Sequence, residues 1–101
     1  MLEEYLNVIT NMENYVDGIM VVDDHADIVY LNQFRPDFTP LDEKRAIGKN
    51  LFELYPDLAE SESTILAAIR EGKVTMGRED VLTTSYGRRF RIIDNTFPIK
   101  E

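Results

Sequence analysis

The chain has 101 residues, a formal net charge of −8 and a composition that is 44% hydrophobic and 30% charged. This length leaves room for one hydrophobic core, and the composition is typical of a folded globular domain. The negative charge disfavours direct nucleic-acid binding, and no apolar run is long enough to span a membrane. Cysteine is absent, which excludes disulfides and fits a cytoplasmic location.

The first sixteen residues predict an amphipathic helix, because apolar side chains recur there at steps of three and four with polar residues between them. This apolar seam consists of Leu2, Tyr5, Ile9, Met12 and Val16. The seam has coiled-coil spacing but is short, so it could pack on its own sheet or on a second copy of the chain. We therefore expect a helix over residues 1–16 and one core domain over residues 17–101.

Two strands are predicted after Gly18. The apolar run over residues 19–22 and the run over residues 28–31 are separated by a polar stretch, which indicates an antiparallel hairpin. Asn32 is predicted to end the second strand, at a position suited to capping the turns that follow.

Short helices and a second pair of strands follow. One helical turn is expected over residues 42–46, and Asn50 is suited to capping a short helix. Ser61 or Ser63 is suited to capping a longer helix that ends at Gly72. Strands are expected over residues 78–84 and 88–99, joined at Tyr86-Gly87. This order predicts an α+β fold, with helices on one face of an antiparallel sheet.

Several of these segments together resemble the PAS family. The residues that carry the resemblance are Asp17-Gly18-Ile19, Asp23, Ile28, Tyr30, Asn32, the segment from Ile47 to Phe52, and the segment from Ile69 to Lys73. The stretch from Asn95 to Ile99 further resembles the sensory PAS region of sigma-54-dependent transcriptional activators, particularly the arginine-utilisation regulator type.

The resemblance implies a five-stranded sheet, of which this chain supplies four strands. In the family the last strand lies between the first and the fourth, so we expect two unpaired edges and a fragment of a larger protein. Ala26 stands where the family usually has a turn glycine. A positive φ there would be strained, so the turn could be shaped differently.

The resemblance also implies a signal-sensing domain of a bacterial transcriptional regulator, which binds a small molecule, such as arginine or ornithine, and acts on an output domain outside this chain. A cationic ligand would need a buried acidic partner such as Asp94. A second interpretation is a ligand-free dimerisation module, with the apolar seam of a homodimer as its interface. A third is a phospho-accepting receiver domain, suggested by Asp23 and Asp24 after an apolar strand, although the next segment is strand-like instead of helical.

No enzymatic activity, metal or cofactor is predicted. His25 is the only histidine, so no catalytic triad can be assembled, and Asp23, His25 and Asp27 lack the glycine and glutamate of a calcium loop. The flavin adduct of light-sensing relatives needs a cysteine, and haem would need a histidine on the long helix.

Carried over from the family, the ligand pocket would lie between the sheet and the helices. Its candidate lining residues are Val21, Tyr30, Asn32, Phe34, Phe52, Ile65, Ile69, Arg91, Ile93 and Asn95. The polar contacts would come from Arg91 or Asn95.

Overall fold

The computed structural model describes residues 16–99 and confirms the predicted α+β class. Its elements, in chain order, are β1 (Gly18–Val22), β2 (Ile28–Gln33), α1 (Glu43–Ala46), α2 (Leu51–Leu54), a 3-10 turn (Glu60–Glu62), α3 (Thr64–Glu71), β3 (Thr75–Thr83) and β4 (Arg89–Thr96). None of the helices in this part of the chain has the length and apolar character needed to cross a membrane.

The four strands form two separate antiparallel hairpins. β1 pairs with β2, and β3 pairs with β4. Within residues 16–99 the two hairpins are not joined by a strand, so each of the four strands, β1 and β4 included, has one edge without a strand partner. This arrangement agrees with the PAS-like sheet that lacks its fifth strand. It also contradicts the receiver interpretation, which requires alternating strands and helices around a parallel sheet.

The turn between β1 and β2 is held by the carboxylate of Asp23. Its Oδ1 accepts hydrogen bonds from the backbone N–H groups of His25 and Asp27, both at 2.9 Å. Chiefly because of the Asp27 bond, the pKa of Asp23 is lowered. Ala26 has a φ of 65° in this turn. The backbone of Ala26 therefore adopts the left-handed conformation, which strains an alanine more than a glycine.

The helix ends are set by the predicted local signals. Asp42 accepts from the N–H of Lys44 to begin α1, and Asn50 accepts from that of Phe52 to begin α2. Of the two serines considered, Ser63 caps α3 by accepting from the N–H of Leu66. Gly72 ends this helix with a φ of 67°, a conformation that glycine adopts without strain.

β2 is longer than predicted, because Asn32 continues the strand to Gln33 instead of ending it. The side chain of Gln33 bonds to the loop that follows the strand. Its Nε2 donates to the carbonyl of Leu41 at 2.8 Å, and its Oε1 accepts from the N–H of Leu41 at 3.1 Å. These two bonds hold the loop before α1 against the end of the first hairpin.

The hydrophobic core lies between the first hairpin and the short helices. Its fully buried members include Ile28, Ala46 and Leu51. Leu82 and Phe90 from the second hairpin pack against the same cluster from the other side. Each hairpin therefore has an inner face, turned toward the core, and an outer face, turned away from it.

Candidate functional site

The inner face of the second hairpin carries charged side chains beside its apolar ones. Along β3 and β4 the exposed and half-buried residues alternate, as expected for strands with one covered face. The half-buried inner residues are Arg78, Asp80, Leu82, Phe90, Ile92, Asp94 and Thr96. Arg78 pairs in the ladder with Asp94, and Leu82 pairs with Phe90. The charged groups therefore occupy one end of this face and the apolar groups the other.

Arg78 is the centre of the charged end. Its Nη2 lies 3.0 Å from Oε2 of Glu62 in the 3-10 turn, and its Nε lies 3.2 Å from Oδ1 of Asp80. The guanidinium is thus fixed between an element of the helical layer and a neighbour on its own strand. The Asp80 side chain is only 20% exposed, so its bond to Arg78 is less weakened by water than that of a surface pair.

Asp94 adds a second half-buried carboxyl group next to this ion pair. Burial and a hydrogen-bonding contact with Asp80 raise the pKa of Asp94 to about 7, although the positive charge of Arg78 opposes the shift. Two carboxylates this close repel each other when both are ionised, so one proton is held at the site near neutral pH. A bound cation would take the place of that proton.

A cavity of about 260 Å³ opens at the charged end. It is lined by Tyr55, Asp57, Leu58, Ala59, Glu62, Arg78, Asp80, Val81, Leu82 and Thr83. Its volume is near the lower end of the range for small-molecule sites, which suits a ligand of few heavy atoms. With Asp94 beside it, this site carries more negative than positive charge and so favours a cationic ligand.

An aromatic group closes the opposite end of this region. The ring of Phe90 lies 5.8 Å from that of Phe38, edge to face, and 6.3 Å from that of Tyr55. Burial raises the pKa of the Tyr55 hydroxyl, and the nearby Tyr86 and Asp94 contribute to the shift. Tyr55 therefore stays neutral and can only donate or accept a hydrogen bond at the cavity wall.

A second, larger groove of about 810 Å³ lies between the short helices and the turn that joins β3 to β4. Arg45, Lys49 and Arg88 line it, together with Asp42 and Glu53. All five of these charged side chains belong to exposed residues. Charges on exposed side chains are well screened by water, so this groove offers a ligand weaker electrostatic contacts than the smaller cavity.

The predicted pocket residues of β4 lie on the exposed face of the second hairpin, and their contact with a ligand stays a prediction. Arg91, Ile93 and Asn95 are exposed on the outer face, and Arg91 there pairs with Glu79 at 3.3 Å. The inner positions are one residue away, at Ile92 and Asp94. A shift of one residue in a strand reverses the face of every side chain, which explains why the observed faces differ from the expected ones.

The first hairpin shows the same reversal. Met20 pairs with Leu31, and both pack against the core, whereas Val21 pairs with Tyr30 on the outer face. Asn32 shares that face, because its Nδ2 donates to the hydroxyl of Tyr30 at 3.2 Å. Val21, Tyr30 and Asn32 thus lie on the face opposite the helices, and their contact with a ligand stays a prediction.

The predicted pocket residues outside the strands give a mixed result. Phe52, Ile65 and Ile69 are half-buried and pack against the core, as a pocket between sheet and helices requires. Phe34 is half-buried just after β2, and its N–H donates to the carbonyl of Asp17. Whether any of these four contacts a ligand stays a prediction.

Of the apolar seam, Val16 is half-buried outside any helix or strand, and the other members lie outside the described residues.

Of these charged residues, only Asp94 was predicted from the sequence as a ligand contact, and Arg78, Asp80 and Glu62 were not. Asp80 and Arg78 could have been found from strict alternation, because they lie two and four residues before Leu82. The apolar side chain of Leu82 marks the covered face of the strand. Glu62 could not, because its contact with Arg78 joins segments sixteen residues apart through tertiary packing.

Within residues 16–99 no group of three metal-binding side chains is placed to hold an ion.

Comparison with known proteins identifies the family. Residues 10–99 match the family model described as PAS fold. The chain is also 24% identical over 82 residues to the transcriptional activator RocR of Bacillus subtilis (strain 168), which agrees with the resemblance to transcriptional activators. This match covers 81% of the chain but only 18% of RocR. No solved structure matches significantly. The chain belongs to the PAS fold family.

Proposed function

We propose that this domain is the signal-sensing part of a cytoplasmic bacterial transcriptional regulator and acts by binding, not by catalysis. Its ligand is a small amino acid with a cationic side chain, such as arginine or ornithine. The observation that carries the proposal is the pair of carboxyl groups, Asp80 and Asp94, held beside Arg78 at the end of a small cavity. The transcriptional activator among its relatives supports the regulatory role.

The charged groups suit the two ends of such a ligand. Arg78 is about one-third exposed and can turn its guanidinium toward a carboxylate, which it binds in two parallel hydrogen bonds. Glu62 is the partner that a ligand carboxylate would displace, because its side chain is two-thirds exposed and easily returns to water. Asp80 and Asp94 then receive the cationic end, and Asp94 releases its proton on binding.

Signal transmission would run through the contact between the sheet and the longest helix. The Oγ1 atoms of Thr64 and Thr96 are 2.9 Å apart and join the first turn of α3 to the end of β4. Asp94 is two residues from Thr96 on the same face of β4. A ligand that pulls on Asp94 therefore favours one packing of α3 over another, and its differential affinity sets the size of the shift.

The test is calorimetric titration of arginine into the folded chain and into Asp80→Asn. We expect measurable heat at millimolar arginine or below, and roughly 10-fold to 100-fold weaker binding to the variant, because it loses a charged hydrogen-bond partner. Glu79→Gln is the matched control, since Glu79 is the neighbouring carboxylate on the outer face of β3. No heat with arginine or ornithine, or equal losses in both variants, would contradict the proposal.

A ligand-free homodimerisation module is the second candidate. It is favoured by the exposed apolar side chains of Val81 and Ile93 and by the apolar seam of residues 2–16. In this case the double substitution Ile9→Asp and Met12→Asp converts a dimer to a monomer. Light scattering of both proteins measures the change, and an unchanged mass would refute the role of the seam.

A further inference from the structure

The cavity beside Arg78 carries more negative charge than one cationic group of a ligand can balance. The carboxyl groups of Asp57, Glu62 and Asp80 line it, and Arg78 is the one basic side chain among its described lining residues. Asp94 lies next to Asp80 and shares a proton with it. Three ionised carboxylates therefore face a single guanidinium. A ligand without net charge leaves this excess unchanged, whereas a ligand with two cationic groups and one carboxylate reduces it.

Glu62 is the carboxylate best placed to receive the second cationic group. Its Oε2 accepts from Nη2 of Arg78 at 3.0 Å, while Nε of Arg78 lies 3.2 Å from Oδ1 of Asp80. A ligand carboxylate that binds Nη2 therefore takes the position that Oε2 of Glu62 now holds. In an α-amino acid the ammonium nitrogen lies about 2.5 Å from the carboxylate carbon, because both are bonded to the same carbon atom. The α-ammonium group thus arrives next to Glu62.

The side chain of Glu62 can change partner while its backbone stays in place. The side chain is 66% exposed, so its carboxylate has room to move. The backbone N–H of Glu62 donates to the carbonyl of Ala59 at 3.0 Å, and the next residue, Ser63, caps α3. The 3-10 turn therefore keeps Glu62 at the edge of the cavity when its carboxylate leaves Arg78.

We propose that Glu62 makes this site specific for α-amino acids, by accepting hydrogen bonds from the ligand's α-ammonium group once the ligand's carboxylate has replaced it on Arg78. This inference rests on the proposed sensing role and adds the partner of the second cationic group. An analogue that lacks the α-ammonium group leaves Glu62 without a cationic partner and beside another carboxylate. The specificity thus comes from repulsion of the analogue as well as from attraction of the amino acid.

The test compares arginine with 5-guanidinopentanoic acid, which is arginine without its α-ammonium group, by calorimetric titration of the 101-residue chain. We expect arginine to bind roughly threefold to tenfold more tightly, a modest factor for a charged hydrogen bond because Glu62 is two-thirds exposed. Glu62→Gln should reduce this preference to less than about twofold. It should do so mainly by strengthening the binding of the analogue, since Arg78 then loses its competing carboxylate.

Glu60→Gln is the matched control. Glu60 lies on the same 3-10 turn, and its side chain is also 66% exposed, but it pairs with Arg70 instead of Arg78. This variant should keep the preference of the parent chain. The proposal is wrong if Glu62→Gln keeps the preference or weakens both ligands equally, or if Glu60→Gln loses the preference to the same extent.

The same titrations separate this inference from the sensing role on which it rests. Arginine binding to the parent chain without any preference over the analogue would overturn the role of Glu62 alone. No binding of arginine to the parent chain would overturn both. If Asp80→Asn removes the preference and Glu62→Gln does not, the α-ammonium group belongs to Asp80, and the assignment to Glu62 fails.

Discussion

The two hairpins of this domain distribute polarity in opposite ways. The first hairpin and the helices beside it enclose an apolar core around Ile28, which is 1% exposed. The second hairpin turns Arg78, Asp80 and Asp94 toward the interior and Ile93 toward solvent. Buried charge costs stability, and exposed apolar surface gains none, so the second hairpin contributes less to folding than its size suggests.

This difference in polarity indicates that the two halves of the molecule have different roles. The first half of the molecule holds the fold together and offers a ligand few polar partners. The second half places two neighbouring carboxyl groups on its half-buried inner face and exposed apolar side chains on its outer face. Both features lower the stability of the second hairpin, and a cationic ligand that binds only the folded domain would offset the electrostatic part of that cost.

A substitution in the core tests the structural role of the first half and should change stability most. Ile28→Ala removes three methyl or methylene groups from the centre of the core and should lower the free energy of unfolding by about 3 kcal/mol. The neighbouring Val29→Ala is the matched control and should cost less than about 1 kcal/mol, because Val29 is 45% exposed. Urea denaturation measures both, and similar losses of unfolding free energy in the two variants would contradict the structural role of the first half.

A smaller effect tests the electrostatic cost in the second half. Because the pKa of Asp94 is raised to about 7, the folded domain keeps a proton between pH 4 and pH 7 that the unfolded chain has lost. The free energy of unfolding therefore falls as the pH rises through this window. Asp94→Asn removes this dependence and should stabilise the domain by about 2 kcal/mol at pH 8, roughly half the full linkage because the carboxyl is only half-buried.

Thermal or urea unfolding of the Asp94→Asn variant at pH 5 and pH 8 provides the measurement. Glu79→Gln on the outer face is the control and should leave the pH dependence unchanged. A stability curve for Asp94→Asn that parallels that of the parent chain would show that this carboxyl carries no buried cost.

The smallest effect concerns the strained turn of the first half. Ala26→Gly relieves about 1 kcal/mol of strain at φ 65°. The substitution also removes a buried methyl group worth about 0.8 kcal/mol and adds backbone freedom to the unfolded chain. We expect a net change within about 1 kcal/mol in urea unfolding. A larger loss would show that packing of the methyl group, and not the backbone, decides this position.

The order of elements could be predicted from the sequence because it depends on local signals. Asn50, Ser63 and Gly72 act within a few residues of their own positions, and the structure uses each as expected. The PAS-like class follows from that order. The family model that matches residues 10–99 confirms it.

The faces of the strands could not be predicted, for two physical reasons. Residues 19–22 are all apolar, and so are Ile92 and Ile93, which leaves no alternation to identify the inner side. A bulge at Val29 then places Ile28 and Leu31 on the same face although they are three residues apart. The candidate site depends on those faces and on the tertiary contact between Arg78 and Glu62, so most of its residues were missed.

The proposed sensing role requires that a cationic amino acid binds at the inner, charged end of the second hairpin. Backbone amide shifts of the nitrogen-15-labelled chain, followed by NMR during an arginine titration, test it directly. We predict saturable shifts concentrated at Glu62, Arg78, Asp80 and Asp94, with Arg91 and Ile93 little affected. Shifts confined to the outer face or to the groove around Lys49, or none at millimolar arginine, would contradict it.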